Sequence, residues 1–192
     1  MPEPAIHPLS AEEFLRWDSG DDLRYELEAG LPVAMASPSG AHQIIAVNLG
    51  RRLAEALDAR PPCSARAEAP ILVPGRADTC HVADLAVTCE PHEPGQRATP
   101  NPLVIVEILS PSTENKDRKV KLPAYRAIPS VQEIVLIDQH ELYCEVHRRT
   151  ANGWLTELLL QPEARLRLPS IDFDQPLSAI YANIRFEKAG YV

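Results

Sequence analysis

Leu103 to Tyr125 reads LVIVEILSPSTENKDRKVKLPAY. Leu103–Leu109 is an apolar, β-branched run of strand length with one carboxylate, Glu107, inside it. Ser110-Pro111-Ser112-Thr113 has the composition of a turn. Helix resumes near Glu114, and Asp117, Lys121 and Tyr125 then recur at four-residue spacing, on one helix face. A charge inside a buried strand is costly unless something compensates it, so Glu107 is the first candidate for chemistry.

Upstream, Ser10-Ala-Glu-Glu13 is a capping box and predicts a short helix over Ala11–Trp17. Arg24–Glu28 and Leu31–Ser37 read as two strands around a turn at Ala29-Gly30. Ile45, Leu49, Leu53 and Leu57 recur every four residues, which predicts an amphipathic helix from about Ala41 to Ala59, ended by Arg60-Pro61-Pro62. Short strands follow at Ser64–Glu68, Ile71–Pro74 and Val82–Thr88, and a proline-rich loop covers Glu90–Pro102. Past the opening stretch come strands at Glu133–Asp138, Tyr143–Arg149 and Trp154–Leu160. The end of the chain reads as loop, one short strand and a helical turn near Leu177–Ala182. The pattern predicts one α/β (α+β) domain over 1–192, with its core at about 20–140 and further strands and a tail in 141–192.

At 192 residues and 21.2 kDa the chain can bury a full core. No apolar run approaches the roughly 20 residues that span a bilayer. The first residues show neither the basic start nor the apolar block of a secretory signal, so a cytoplasmic protein with no membrane partner is expected. Cys63, Cys80, Cys89 and Cys144 form no CxxC pair and are expected as reduced thiols. Zinc on Cys80, His81, Cys89 and His92 is the weaker alternative, because the spacing fits no usual zinc pattern. The net charge of −8 argues against non-specific nucleic-acid binding by the whole surface. A local basic group, Lys116, Arg118, Lys119 and Lys121, remains close to Glu107 in sequence, and its first three members read at least as well as a solvated helix face.

Asp84 and Glu107 both interrupt runs that otherwise want burial, and neighbouring strands could set them side by side. Two bare carboxylates about 4 Å apart repel by roughly 4 kcal/mol at an effective dielectric near 20. A divalent cation with oxygen ligands, Mg²⁺ or Mn²⁺, reverses that sign. Spacing alone favours the plainer reading, in which each carboxylate sits at a strand end or against an arginine. Lys121 is the natural third member, as an ammonium that orients water or stabilises charge; its plain reading is an i, i+4 ion pair with Asp117. His42 falls on the buried face of the long helix near its start, where a core or capping histidine is the ordinary role. Glu26, in a strand that alternates, is weak evidence alone.

Taken together and in order, YELEAG at Tyr25–Gly30, SPSGAHQ at Ser37–Gln43, the strand with Asp84, VEILSPST at Val106–Thr113 and DRKVKLPAY at Asp117–Tyr125 resemble the Uma-two family. That bacterial family, whose endonuclease activity is inferred largely from fold, belongs to the restriction-endonuclease-like PD-(D/E)XK superfamily. The resemblance covers about Ser10–Asp138, more loosely to Tyr181. It implies a restriction-endonuclease-like core with a mixed central β-sheet flanked by helices. It also implies a metal-dependent endonuclease that hydrolyses DNA phosphodiester bonds. Asp84 and Glu107, with the Ile108 carbonyl, would hold Mg²⁺ or Mn²⁺. Lys121 would supply the amine that the superfamily places two residues after the glutamate, where Leu109 stands here. His42 and Glu26 match further recurring positions. DNA is the implied partner, and a homodimer suits cutting of both strands.

Three positions depart from the pattern. Ala83 replaces the proline before the aspartate, and Leu31 stands where a carboxylate is expected. Pro123 falls in the helix that should bear Lys121, at a cost near 3 kcal/mol in a helix interior. The alternative function is a catalytically inactive protein of the same fold that binds nucleic acid or protein.

Overall fold

The computed structural model describes residues 7–186. Ser10 caps α1 (Ala11–Phe14) through the expected box, Ser10 Oγ accepting the Glu13 N–H and Glu13 Oε2 accepting the Ser10 N–H. The helix stops short of Trp17, after one turn. β1 (Tyr25–Glu28) and β2 (Leu31–Ala34) form a hairpin. Both turn residues have positive φ, 48° at Ala29 and 81° at Gly30, as a two-residue turn matched to strand twist requires. A Cβ on Gly30 would lie 2.5 Å from the Pro8 Cβ, so this turn admits only glycine there.

α2 (Gly40–Leu57) is the long amphipathic helix, and its four periodic apolar residues are its buried ones. β3 (Ser64–Leu72) is one strand where two were expected, because the ladder resumes on both sides of Glu68, whose φ is +48°. β4 (Cys80–Thr88) begins two residues early and is followed by β5 (Pro102–Leu109). The next helix is three pieces: α3 (Glu114–Lys116), a π-helical turn over Asp117–Lys121, and α4 (Leu122–Arg126). Then come β6 (Glu133–Asp138), β7 (Cys144–Thr150) and β8 (Gly153–Leu159). The end of the chain holds two strands rather than one, β9 (Arg165–Leu168) and β10 (Phe173–Pro176), before α5 (Leu177–Ile180).

Eight strands make a mixed sheet in which only β5 and β6 run parallel. α2 and the C-terminal segments cover one face, through Leu49 and Leu53 against Val104, Val106 and Val135, and through Phe173 and Ile180. Leu122, Tyr125, Ile128 and Val131 cover the other, against Ile105, Ile134 and Leu136. The central strands therefore read as near-continuous apolar runs, as strands buried on both faces must.

One irregularity in this sheet positions everything that follows. Cys80 pairs with Leu72 of β3 and with Leu27 of β1, so β1 lies along the edge of β4 that β5 occupies from Leu85 onward. Between those points β1 and β5 diverge, and on that edge Val82 to Asp84 face a gap, while β3 pairs along the other. Buried backbone groups must still be paired. Side chains do it: Glu26 Oε1 accepts the Val82 N–H at 2.9 Å, and Lys121 Nζ donates to the Val82 carbonyl at 3.0 Å.

Two cysteine expectations are corrected. Cys63 and Cys89 form a disulfide, because the start of β3 lies against the end of β4 and brings the two together. That also removes Cys89 from any zinc set, and no group of three or more His, Cys, Asp or Glu placed to hold a metal occurs among the described residues. Cys80 and Cys144 are the buried free thiols, and burial pushes the Cys80 thiol up to about 12.

Candidate active site

The gap in the sheet opens into a cavity of about 540 Å³, and Glu26, His42, Asp84, Glu107 and Lys121 all line it. Five residues spread over 96 positions meet because β1, α2, β4, β5 and the π turn converge where the sheet splits. Continuing the Leu85–Val106 register by one pair sets Asp84 opposite Glu107, hence on the same face. The ladder stops there. Asp84 Oδ2 takes the Ile108 N–H at 2.6 Å, and Asp84 Oδ1 lies 3.1 Å from His42 Nε2. In a strand, the N–H and C=O of one residue point to the same side, so the Ile108 carbonyl also faces the Asp84 edge.

Glu107 is 2 % exposed. Its Oε1 accepts from the Tyr125 hydroxyl at 2.6 Å and from Lys121 Nζ at 3.2 Å. Its Oε2 has no partner among the described residues and is not among the enclosed, unpaired atoms. Burial drives the carboxyl well above the usual range, against the pull of Lys121; Asp84 and Asp117 add to the rise and Tyr125 opposes it.

Lys121 Nζ contacts Glu26 Oε1 at 2.6 Å and Asp117 Oδ1 at 3.6 Å, besides Glu107 and Val82. Burial alone would lower this ammonium, but Glu107, Glu26 and Asp117 outweigh it and hold the group well above its ordinary value. Glu26 shows the reverse balance: burial raises it, and Lys121 and Lys116 overcome that and keep it below the usual range. Lys116 bridges Glu26 and Glu28, which extends the alternating charges to the cavity rim.

The donors here are oxygens, which suits a hard cation. Two carboxylates and one carbonyl fit the habit of Mg²⁺, which takes few protein ligands and completes its shell with water and substrate oxygen. The lining carries five carboxyl groups (Glu26, Glu28, Asp84, Glu107, Asp117) and three fixed cations (Arg24, Lys116, Lys121), an acidic excess that suits a cation.

Asp117, Lys116 and Tyr125 belong to this network but were not singled out from sequence as site residues. The D-x3-K-x3-Y spacing was the available signal for Asp117 and Tyr125. Gln139, buried in the cavity wall, had none.

A family model described as "Putative restriction endonuclease", Uma2, matches residues 11–178. An uncharacterized protein of Synechocystis sp. (strain ATCC 27184 / PCC 6803 / Kazusa), slr1290, is 29% identical over 188 residues, covering 96% of this chain and 97% of its own. A second from the same organism, sll1609, is 29% identical over 158 residues, or 79% and 88% of the two chains. Among solved structures, "a putative nuclease belonging to DUF820" from Anabaena variabilis ATCC 29413 superposes with a TM-score of 0.72 at 22% identity. The match covers 91% of this chain and 98% of that one, and it shows a shared fold.

Proposed function

The chain belongs to the Uma2 family, and on that premise we propose that it is a metal-dependent endonuclease hydrolysing DNA phosphodiester bonds. The observation that supports this reading best is the split sheet, which sets Asp84, Glu107 Oε2 and the Ile108 carbonyl around one cavity. Mg²⁺ or Mn²⁺ held by those three oxygens would supply Lewis-acid polarisation of the phosphate and a lower pKa for bound water. Water attack on phosphorus forms one P–O bond and breaks another, and the leaving oxygen takes up a proton.

The residues divide the remaining work by their hydrogen bonds. An ammonium has three donors, and Lys121 uses them on Val82, Glu26 and Glu107. Firmly protonated and fully engaged, it is no base; it holds Glu107 and Glu26 in place and offsets their charge. Glu26, held low by two lysines, is likewise a poor base. His42 has Nε2 on Asp84 and no partner for Nδ1 among the described residues, so it is the proton carrier this site offers. A homodimer would give a duplex two such sites.

A second reading, a binding protein without catalysis, draws on Asp84: both its oxygens are already engaged, one by His42 and one by the Ile108 N–H. Calorimetry with Mn²⁺ and Mg²⁺ on wild type and Glu107→Ala separates the two, followed by Mn²⁺-dependent cleavage of duplex and single-stranded DNA. Binding lost in the variant, with cleavage lost alongside it, is expected. Folded protein that binds no metal with DNA present would replace the nuclease by the binding protein.

A further inference from the structure

The SPSGAHQ segment enters the site so far only through His42. Its other groups have a geometry of their own. Ser39 caps α2: its Oγ accepts the His42 N–H at 3.1 Å and its carbonyl accepts the Gln43 N–H at 3.0 Å. That leaves the Gly40 and Ala41 N–H groups without partners among the described residues. α2 is 18 residues long, its cap is a neutral serine and its first turn holds no acidic side chain; the one carboxylate close by, Asp84, is taken up by the His42 side chain and the Ile108 N–H. A Cβ on Gly40 would meet nothing within 4 Å, so a ligand can approach the backbone closely.

The second, independent observation comes from the far side of the chain. Gln139, just past β6, is 4 % exposed and lines the same cavity as Ser39. Its Oε1 accepts the Ser39 hydroxyl, which fixes the amide so that Nε2 is the free end. Nε2 has no hydrogen-bond partner among the described residues. Nor is it among the enclosed, unpaired atoms, so this end of an otherwise buried amide is open to the cavity and its donors are available to whatever enters.

We propose that the Gly40 and Ala41 N–H groups and Gln139 Nε2 form a cradle for a non-reacting phosphodiester of a nucleic-acid strand, next to the one being cut. The assignment rests on the nuclease reading above and adds to it a seat for the neighbouring backbone. All its donors are neutral. In a cavity crowded with carboxylates, neutral donors and a helix end suit a singly charged diester better than a doubly charged free phosphate, which Asp84 and Glu26 would repel. It also explains how a chain of net charge −8 would engage DNA without a broad basic surface.

The test is an amide-resolved NMR titration with the dinucleoside monophosphate TpT, metal left out. Wild type should show saturable shifts at the Gly40 and Ala41 amides and the Gln139 side-chain amide, and bind inorganic phosphate more weakly. Gln139→Leu removes the donor and should weaken TpT about fivefold. Gln139→Glu keeps the acceptor for Ser39 but replaces the donor by a carboxylate, and should weaken TpT more. Melting curves check that both variants fold. Absence of shifts at the three groups, equal affinity in wild type and both folded variants, or tighter binding of inorganic phosphate than of TpT would each overturn the cradle. Because no metal is present, the outcome is separate from the Mn²⁺ calorimetry: TpT bound at these groups by a chain that takes no Mn²⁺ keeps the cradle and removes the nuclease.

Discussion

Metal binding at this site should displace a proton from Glu107. Five carboxyl groups share the cavity with two ammonium groups and one guanidinium, and Glu107, 2 % exposed, has one oxygen engaged and one without a partner among the described residues. An uncompensated carboxylate about 4 Å from another costs roughly 4 kcal/mol at an effective dielectric near 20. Retaining a proton on Glu107 costs less, in line with its strongly raised carboxyl. A cation that uses Oε2 must take that proton's place. Below the raised value, apparent Mn²⁺ affinity should therefore change about tenfold, or 1.4 kcal/mol, per pH unit, rising with pH and then levelling. Calorimetry in two buffers of different ionisation enthalpy measures the released proton directly, and below the native Glu107 value close to one per ion is expected. Without metal the linkage has the opposite face. The native carboxyl holds a proton that the unfolded chain gives up near pH 4.3, so stability is fully present below that point and is lost as pH rises through the native value. Glu107→Gln should remove both effects. Heat independent of buffer, with affinity flat at every pH from 4.5 upward at which the protein stays folded, would refute the charge accounting.

Lys121→Met strips the shared ammonium from Glu26, Glu107 and Asp117 and should cost about 3–5 kcal/mol in denaturant melts. Adding Glu107→Gln to that variant should recover most of the loss, and no recovery would mean that Lys121 acts through packing. Tyr125→Phe removes one hydroxyl, 2.6 Å from Glu107, and should lower Mn²⁺ affinity by about 10- to 100-fold with little change in fold; an unchanged affinity would discount the hydroxyl. His81 is buried edge-on against Tyr125, and burial holds its imidazole down to about 4. It contributes stability fully above the unfolded value of 6.5 that is lost as pH falls through 4, about 3 kcal/mol in all. His81→Leu should flatten that acid limb in urea melts.

How much of this could be read from the sequence depends on the range over which each feature is decided. Glu107 stood out because one charge interrupts an apolar run, a local signal. α2 did so because its apolar residues keep a four-residue period. The meeting of Asp84 with Glu107 depends on strand register, and the hydrophobic pattern fixes which face each side chain takes but not which strands are neighbours. Motif resemblance supplied that link. The split between β1 and β5 has no signature, since nothing in YELEAG tells that Leu27 will pair with Cys80. The Cys63–Cys89 bridge was missed because spacing does not encode which strand ends abut. Gln139 was missed because an amide at the end of an apolar strand resembles any turn residue.

The two departures that weighed against catalysis change meaning once placed in space. Leu31 sits opposite Glu28 in the hairpin, half exposed and away from the cavity, where Glu26 and Glu28 from β1 already supply the carboxylates. Pro123 would disrupt a regular α-helix by removing the bond to the carbonyl four residues back and by clashing with it. The turn just before it is π-helical, and the Leu122 N–H reaches Asp117 rather than Arg118. The widened turn relieves the crowding ahead of the proline, and in doing so turns both Asp117 and Lys121 inward. The proline and the lysine are thus compatible, and neither departure removes a charged group from the cavity. What an ion must overcome is the pairing of Asp84 with His42. One charge-assisted hydrogen bond is worth about 1.5–3 kcal/mol. A proton on Glu107 already removes the carboxylate repulsion, so an ion at Asp84 Oδ1 would have to replace both that proton and the His42 contact, and His42 released in that exchange would stay at the cavity.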